Sequence, residues 1–278
     1  KMTDVTFEAH HAQQLVLEDP HRFITLVCGR RWGKDHMAAI KILSHSLTHK
    51  SPRGKKLYAW LNPVYNPQGK ESFRVFRAFA ESGGLVEKCI ETPPMEVRLI
   101  NGDRITFFSA DQPDNLRGGQ YDGVILNEAG FISDLDELWS GPVAAMLLDR
   151  TGWAWIMGTP KGKNAFHKFY LRGLDKELEN GKPNPWKTFR FPTKTNPFIS
   201  DEELDRLRDE LPSDMFKQEF MAEFMDSGGA VFRGLDQMME RSANTALVPQ
   251  ADGCRVGVDL AKHTDFTCLV ALDSNSNV

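Results

Sequence analysis

The chain has 278 residues, 41% hydrophobic and 26% charged, with a formal net charge of −4. This is the composition of a soluble globular protein with one large domain or two small ones; it contains no repeat, no low-complexity tract and no apolar stretch long enough to cross a bilayer. The acidic balance gives no general support for nucleic-acid binding, so any basic surface has to be a local cluster.

In chain order, the first strong element is the apolar run Phe23–Val27, a predicted strand. It enters the loop Cys28-Gly29-Arg30-Arg31-Trp32-Gly33-Lys34-Asp35. A helix over 35–49 follows, with Met37, Ile40, Leu43 and Leu47 on one face. A strand, a glycine-bearing turn, a Gly-Lys pair and a helix N-terminus form a cradle for nucleotide phosphates. Backbone N–H groups point at the anion and the lysine neutralises it. Gly29, Gly33 and Lys34 are the candidate loop residues, and Arg30 and Arg31 are within reach of phosphate. The loop departs from the usual pattern at Cys28, where a glycine is expected, and at Asp35, where a hydroxyl is expected.

A second strand is predicted at Leu57–Leu61, a helix over 71–81, and a hairpin of Val97–Ile100 and Arg104–Phe108 around Asn101-Gly102-Asp103. The run Val124–Leu126 then ends in Asn127-Glu128. A short buried strand ending in a polar pair is the expected partner of a phosphate loop, with the first residue orienting Mg²⁺ and the glutamate polarising the attacking water. The usual residue before that glutamate is Asp. Asp35 and Asn127 together keep the negative charge count, so a ligand swap, with Asp35 supplying the carboxylate oxygen, competes with a weakened metal site. Trp153–Met157 is the next strand. The alternation of strands and helices predicts an α/β fold with a mainly parallel sheet flanked by helices.

Two basic clusters stand out: Lys50, Arg53, Lys55 and Lys56, and Lys161, Lys163 and Lys168. After about residue 170 the pattern changes. Residues 174–181 read as a charged helix end, followed by the breaker Lys182-Pro183-Asn184-Pro185. Helices are predicted from Ser200 to Glu210 and from Ser213 to Phe224, the second with Phe216, Phe220 and Phe224 as a packing stripe. A linker begins at Asp226-Ser227-Gly228-Gly229, and Phe266–Leu272 reads as a late strand. Cys28, Cys89, Cys254 and Cys268 have neither metal-ligand spacing nor a disulfide framework, which suits a reducing cytoplasm; the N-terminus has no signal-peptide core.

Taken in order, these pieces resemble the large terminase subunit, the DNA-packaging motor of tailed bacteriophages. Gly29-Arg30-Arg31-Trp32-Gly33-Lys34 looks like its phosphate loop, and Asn62-Pro63-Val64-Tyr65 like the segment after its second core strand. Ser109 to Gly118 looks like the segment carrying an arginine finger, and Met157-Gly158-Thr159-Pro160 like its coupling motif. Asn196-Pro197-Phe198-Ile199-Ser200 and Phe216-Lys217-Gln218-Glu219-Phe220 look like its lid region, and Gly257-Val258-Asp259-Leu260 like the first strand of its nuclease domain.

The resemblance implies a P-loop NTPase of the ASCE type with a small helical lid and the start of an RNase H-like nuclease domain. The implied division is an ATPase core at 1–172, a lid at 173–225, a linker at 226–253 and a nuclease hairpin at 254–278. It implies ATP and Mg²⁺ as cofactors, Gln13 as the adenine-reading residue, Arg117 as an arginine finger offered to a neighbouring subunit, and Thr159 as the sensor that relays hydrolysis. Asp35 and Asn127 are the Mg²⁺ candidates, and Asp259 belongs to an incomplete nuclease metal site, from which no cleavage by this chain is expected. Implied partners are double-stranded DNA, further copies in a ring (a pentamer on the portal), the portal protein and the small terminase subunit, in the host cytoplasm with no membrane. The alternatives are a nucleotide-binding module with weak or no hydrolysis and a superfamily-2-like helicase.

Overall fold

The computed structural model describes residues 8–51, 53–116, 118–178 and 180–225, and the backbone of strands 255–259 and 268–272. The chain divides into two compact units, Lys1–Gly228 and Gly229–Val278. The first unit is built on one eight-stranded sheet in the order β3-β4-β5-β2-β6-β7-β1-β8. Its strands are β1 (Phe23–Cys28), β2 (Leu57–Asn62), β3 (Val86–Ile90), β4 (Met95–Leu99), β5 (Arg104–Ser109), β6 (Gly123–Leu126), β7 (Trp153–Gly158) and β8 (Trp186–Phe191). The six strands from β5 to β8 in that order are parallel, and β3 and β4 add an antiparallel edge.

Parallel strands are covered on both faces and read as continuous apolar runs. Every residue of β6 and β7 is buried. Alternate residues serve opposite faces, as the period of two requires. Tyr58, Trp60, Ile125, Trp153, Trp155 and Met157 face one core, shared with α1 (His11–Leu17), α2 (Lys34–Thr48) and α3 (Lys70–Ser82). Ala59, Leu61, Val124, Leu126, Ala154 and Ile156 face the other core, covered by α4 (Leu135–Leu138), α5 (Ala144–Met146) and α6 (Ala165–Arg172). Of these sheet residues, four of the six on the first face are aromatic, while all six on the second are aliphatic. Burying each of the large ones contributes on the order of 2 kcal/mol.

Several sequence expectations are corrected. Leu47, expected on the packing face of α2, is 48% exposed. The buried stripe instead passes through Ala39, Ile42, Leu43 and Ser46. Lys56, grouped with a basic surface loop, is buried at 6% exposure and pairs with Asp103 at 3.6 Å. Residues 174–178, 180 and 181 do not continue a helix: α6 ends at Arg172, capped by Gly173. α7 (Asp201–Glu210) matches expectation, with Ser200 accepting a bond from the Glu203 amide. α8 (Ser213–Phe220) stops before Phe224 because the chain turns left-handed at Ala222, φ 56°. Phe216 and Phe220 stack at 5.5 Å, while Phe224 packs on Phe166, His167 and Tyr170 of α6. β8 lies within the range expected for the lid but forms an edge of the main sheet.

In the second unit, β9 (Arg255–Asp259) and β10 (Cys268–Leu272) pair antiparallel, with Cys268 opposite Asp259. The expected linker, the side chain of Asp259 and the residues between the two strands lie outside the described residues.

Candidate active site

The C-terminal ends of β1, β2, β5, β6 and β7 gather along one edge of the sheet, where open α/β sheets bind their ligands. The loop leaving β1 is the expected phosphate loop. Gly33 caps α2 with φ 97°, a conformation that suits glycine, and offers no side-chain cap. The first N–H groups of α2 thus have no side-chain acceptor at the cap and remain available to an anion. Arg31 is also left-handed, φ 61°.

Four consecutive carbonyls of the loop are each held by a side chain from elsewhere in the chain. Arg30 O accepts from Thr193 Oγ1 at 2.7 Å and Arg31 O from Asn196 Nδ2 at 2.7 Å. His10 Nε2 lies 3.2 Å from Trp32 O, and Gly33 O accepts from Gln13 Nε2 at 3.0 Å. Carbonyls fixed outward in this way stay clear of an anion that would repel them. Trp32, 1% exposed, seals the loop from below: it stacks on Phe191 at 5.2 Å and donates Nε1–H to Thr195 at 2.8 Å. Gly29 is required by close approach, since a Cβ there would stand 2.3 Å from Thr193 Oγ1 and 2.6 Å from Phe220 O.

Gln13 is 5% exposed, and both ends of its amide are engaged, Oε1 with the His10 N–H at 3.1 Å and Nε2 with Gly33 O. It braces the loop in this structure. Arg30 points to α8: its N–H donates to Glu219 O at 2.7 Å and its guanidinium pairs with the Glu219 carboxylate. Arg31 is exposed.

Lys34 opens α2, and Glu128 follows β6 across the sheet edge. Their side chains meet, Nζ to Oε1, at 2.7 Å, with Asp35 Oδ1 3.8 Å from the same ammonium. Burial pulls the Lys34 pKa down, but the Asp35 and Glu128 carboxylates outweigh it and hold the ammonium above its ordinary range. Cys28, wholly buried behind the loop, has its thiol pushed up to about 12 by burial and is inert at neutral pH. Glu128 adopts φ 50°, left-handed for a non-glycine residue, a conformation costing about 1–3 kcal/mol that the surrounding structure has to hold.

Asn127 is buried, bonded through its amide nitrogen to Asn62 and Ser72. Its Oδ1 and the Oδ1 of Asp35 are buried oxygens without a hydrogen bond. Oxygen donors suit Mg²⁺, and a nucleotide-bound Mg²⁺ takes only one or two protein oxygens beside phosphates and water. Among the described residues no group of three or more His, Cys, Asp or Glu gathers as a self-sufficient metal site.

Thr159, 4% exposed, lies on the loop after β7 with its carbonyl against Gly130. Asn164 caps α6 and donates to Gly130 O at 2.8 Å, and the Gly162 N–H donates to Gln218 Oε1 at 3.1 Å. A circuit closes: the phosphate loop touches Glu128, the Glu128 turn touches the 159–164 loop, that loop touches α8, and α8 returns to Arg30. Arg117, the expected finger, lies outside the described residues. Sequence reading does not single out Asn62, Ser72, Thr193, Asn196 or Glu219 individually. Their partners are remote in sequence, and the only signal is their place in or beside segments already noted.

A family model described as terminase large subunit, T4likevirus-type, N-terminal, matches residues 27–237. The chain belongs to this family. It is 35% identical to the large terminase subunit of Thermus virus P23-45 over 181 residues, 59% of this chain and 37% of that protein. To the large terminase subunit of Escherichia phage T5 it is 29% identical over 222 residues, 78% of this chain and 47% of that protein. The chain thus spans less than half the length of either relative. The solved ATPase domain of the Thermus phage P74-26 large terminase superposes with a TM-score of 0.63 at 26% identity, covering 81% of this chain and 99% of that one. The fold is accordingly that of a terminase ATPase domain, a P-loop NTPase of the ASCE type; the site described above lies within the matched family segment except for His10 and Gln13, which precede it.

Proposed function

We infer that this terminase segment binds ATP on the 28–35 loop and hydrolyses it, and that hydrolysis drives double-stranded DNA into a viral procapsid. The observation that carries this reading is the meeting of Lys34 and Glu128 at 2.7 Å, at the N-terminus of α2 and the end of the central strand β6. Lys34 neutralises the phosphates, Glu128 orients and polarises the attacking water, and the α2 N–H groups bind the transferring group. Asp35 and Asn127, whose Oδ1 atoms accept no hydrogen bond, are the residues that would hold Mg²⁺, which would neutralise charge on the phosphate oxygens. Those oxygens favour a hydrolytic site over a nucleotide-binding module without turnover.

In this reading Arg117 serves the site of a neighbouring copy in a ring, Thr159 relays the state of the site to α8, and Gln13 couples loop position to the purine. Portal protein, the small subunit and the nuclease role of Asp259 belong to the whole protein in the host cytoplasm. No helix among the described residues is long and apolar enough to cross a membrane. DNA requires a basic surface. Arg53, Lys55, Arg98, Arg104 and Arg150 surround a cleft of about 470 Å³ at the opposite sheet edge from the phosphate loop, with Glu87 the one acid among its lining residues. The Nε groups of Arg98 and Arg150 are buried there without a partner. Other atoms of these side chains are paired, Arg150 with Asp122 at 2.9 Å and Arg98 and Arg104 with Glu96 at 3.4 and 3.8 Å; in the second basic cluster Lys168 pairs with Asp136 at 2.8 Å and Lys161 lies over Phe131 at 4.5 Å.

The test is Mg²⁺-dependent ATP hydrolysis by the chain, with and without double-stranded DNA, beside Glu128→Gln. The expected outcome is turnover that falls by about 10²–10⁴-fold in the variant while nucleotide binding survives. Equal turnover in both proteins would rule out Glu128 as the base.

A further inference from the structure

Asn62, Ser72 and Asn127 form a sealed cluster directly behind Glu128, with exposures of 0%, 1% and 2%. Asn62 ends β2, Ser72 lies in the first turn of α3, and Asn127 follows β6. The Asn127 amide nitrogen donates to Asn62 Oδ1 at 3.1 Å and to Ser72 Oγ at 3.2 Å. The Ser72 hydroxyl donates to the same Asn62 oxygen at 2.9 Å. Main-chain bonds lock the cluster to its strands, Asn127 N–H to Leu61 O at 2.8 Å and Ala110 N–H to Asn62 O at 2.8 Å.

The cluster is asymmetric. Asn62 Oδ1 receives two bonds, while Asn62 Nδ2 is buried and has none. A buried orphan donor is destabilising, so a residue chosen only for packing would be apolar here. What the site uses is the oxygen, which grips the amide of the residue next to Glu128. Glu128 itself sits in a left-handed conformation that its neighbours must impose.

We propose that Asn62 and Ser72 are positioning residues for the hydrolytic step: they fix Asn127, and through it the backbone from which Glu128 reaches the water. This rests on the ATPase reading above. The geometry also leaves Asn127 Oδ1 free, because the amide is held by its nitrogen.

The experiment compares kcat and KM for ATP in the unaltered chain, Glu128→Gln, Asn62→Leu, Asn62→Asp and Ser72→Ala, with thermal melts and the affinity of a fluorescent ADP analogue. Misplacing a catalytic group by about 1 Å costs on the order of 10²-fold. Asn62→Leu and Ser72→Ala are expected to lower kcat by about ten- to a hundredfold, with KM and analogue affinity within about threefold. Asn62→Asp keeps the oxygen and loses only the orphan nitrogen, and its charge is met by the same two donors. It is expected to recover most of the kcat lost in Asn62→Leu. Should Asn62→Leu not fold, Ser72→Ala, which removes a single hydroxyl, carries the comparison. A fall in melting temperature with kcat unchanged in the folded protein overturns the proposal, as does a parallel change in KM and kcat. Turnover that depends on Glu128 but ignores Asn62 and Ser72 sinks this inference and leaves the ATPase standing. Nucleotide binding without turnover in the unaltered chain sinks both.

Discussion

His45 on α2 hydrogen-bonds Tyr58 OH at 2.7 Å and stacks on His49 at 4.4 Å, beside the edge of Trp153 at 5.8 Å. Burial, followed by the neighbouring His49, Lys41 and Lys56, lowers its pKa to about 4, with Asp122 opposing. The unfolded chain protonates this imidazole from about pH 6.5 downward, whereas the folded protein resists until about pH 4. Stability attached to His45 is therefore complete above about pH 6.5 and is lost as pH falls from there toward 4. Thermal melts across that window should decline less steeply in His45→Gln than in the unaltered chain. Identical slopes would show that carboxylates alone set the acid limit.

The elements differ in how openly the sequence declares them. β1, β2, β6 and β7 are readable because strands buried on both faces need unbroken apolar runs, and β4 and β5 are readable from the Asn101-Gly102 turn between them. β3 (Val-Glu-Lys-Cys-Ile) is not, since it is an edge strand whose residues are all at least partly exposed. β8 (Trp-Lys-Thr-Phe-Arg-Phe) alternates only over Phe189-Arg190-Phe191, with Trp186 out of phase, and so gives little strand signal among the breakers. Lys34 and Glu128 can be found from local motifs. The side chains that hold the loop carbonyls cannot, because Thr193 and Asn196 act across 163 and 165 residues. α8 supplies a test at this scale. The Arg30–Glu219 pair is exposed on its arginine side, 58%, so Glu219→Gln should cost less than about 1 kcal/mol of stability. Its larger effect is expected on nucleotide affinity, because Arg30 belongs to the phosphate loop. A loss of stability without any change in affinity would reduce the pair to a structural tie.

At the scale of the first compact unit, the sheet separates two charged ends. The carbonyl ends of its parallel strands carry the phosphate loop and Glu128, and the amino ends of β2 and β5 carry the arginine-lined cleft. On the function proposed above, opposite ends of the strands keep DNA binding and phosphate chemistry apart. Charge reversal at Arg53 and Arg98 together is expected to weaken double-stranded DNA binding and to flatten its salt dependence by about one slope unit for each DNA phosphate left without its cation. Fluorescence anisotropy over a salt series measures both, and an unchanged slope would move the DNA surface elsewhere. The basic loop legible in the sequence supplies only Arg53 and Lys55 to this cleft; the other three arginines join it through strand pairing and packing.

The circuit joining the phosphate loop, the Glu128 turn, the 159–164 loop and α8 has a consequence for descent. At three of its junctions one partner is a main-chain atom, Arg30 N and Glu219 O, Gly130 O, and Gly162 N, while the Lys34–Glu128 junction is made by two side chains. Main-chain atoms survive any substitution that preserves the backbone path. Side-chain partners can then be exchanged singly over generations, each replacement finding the same carbonyl or amide waiting. Relatives whose residues have drifted far apart can thus inherit the same mechanical connection.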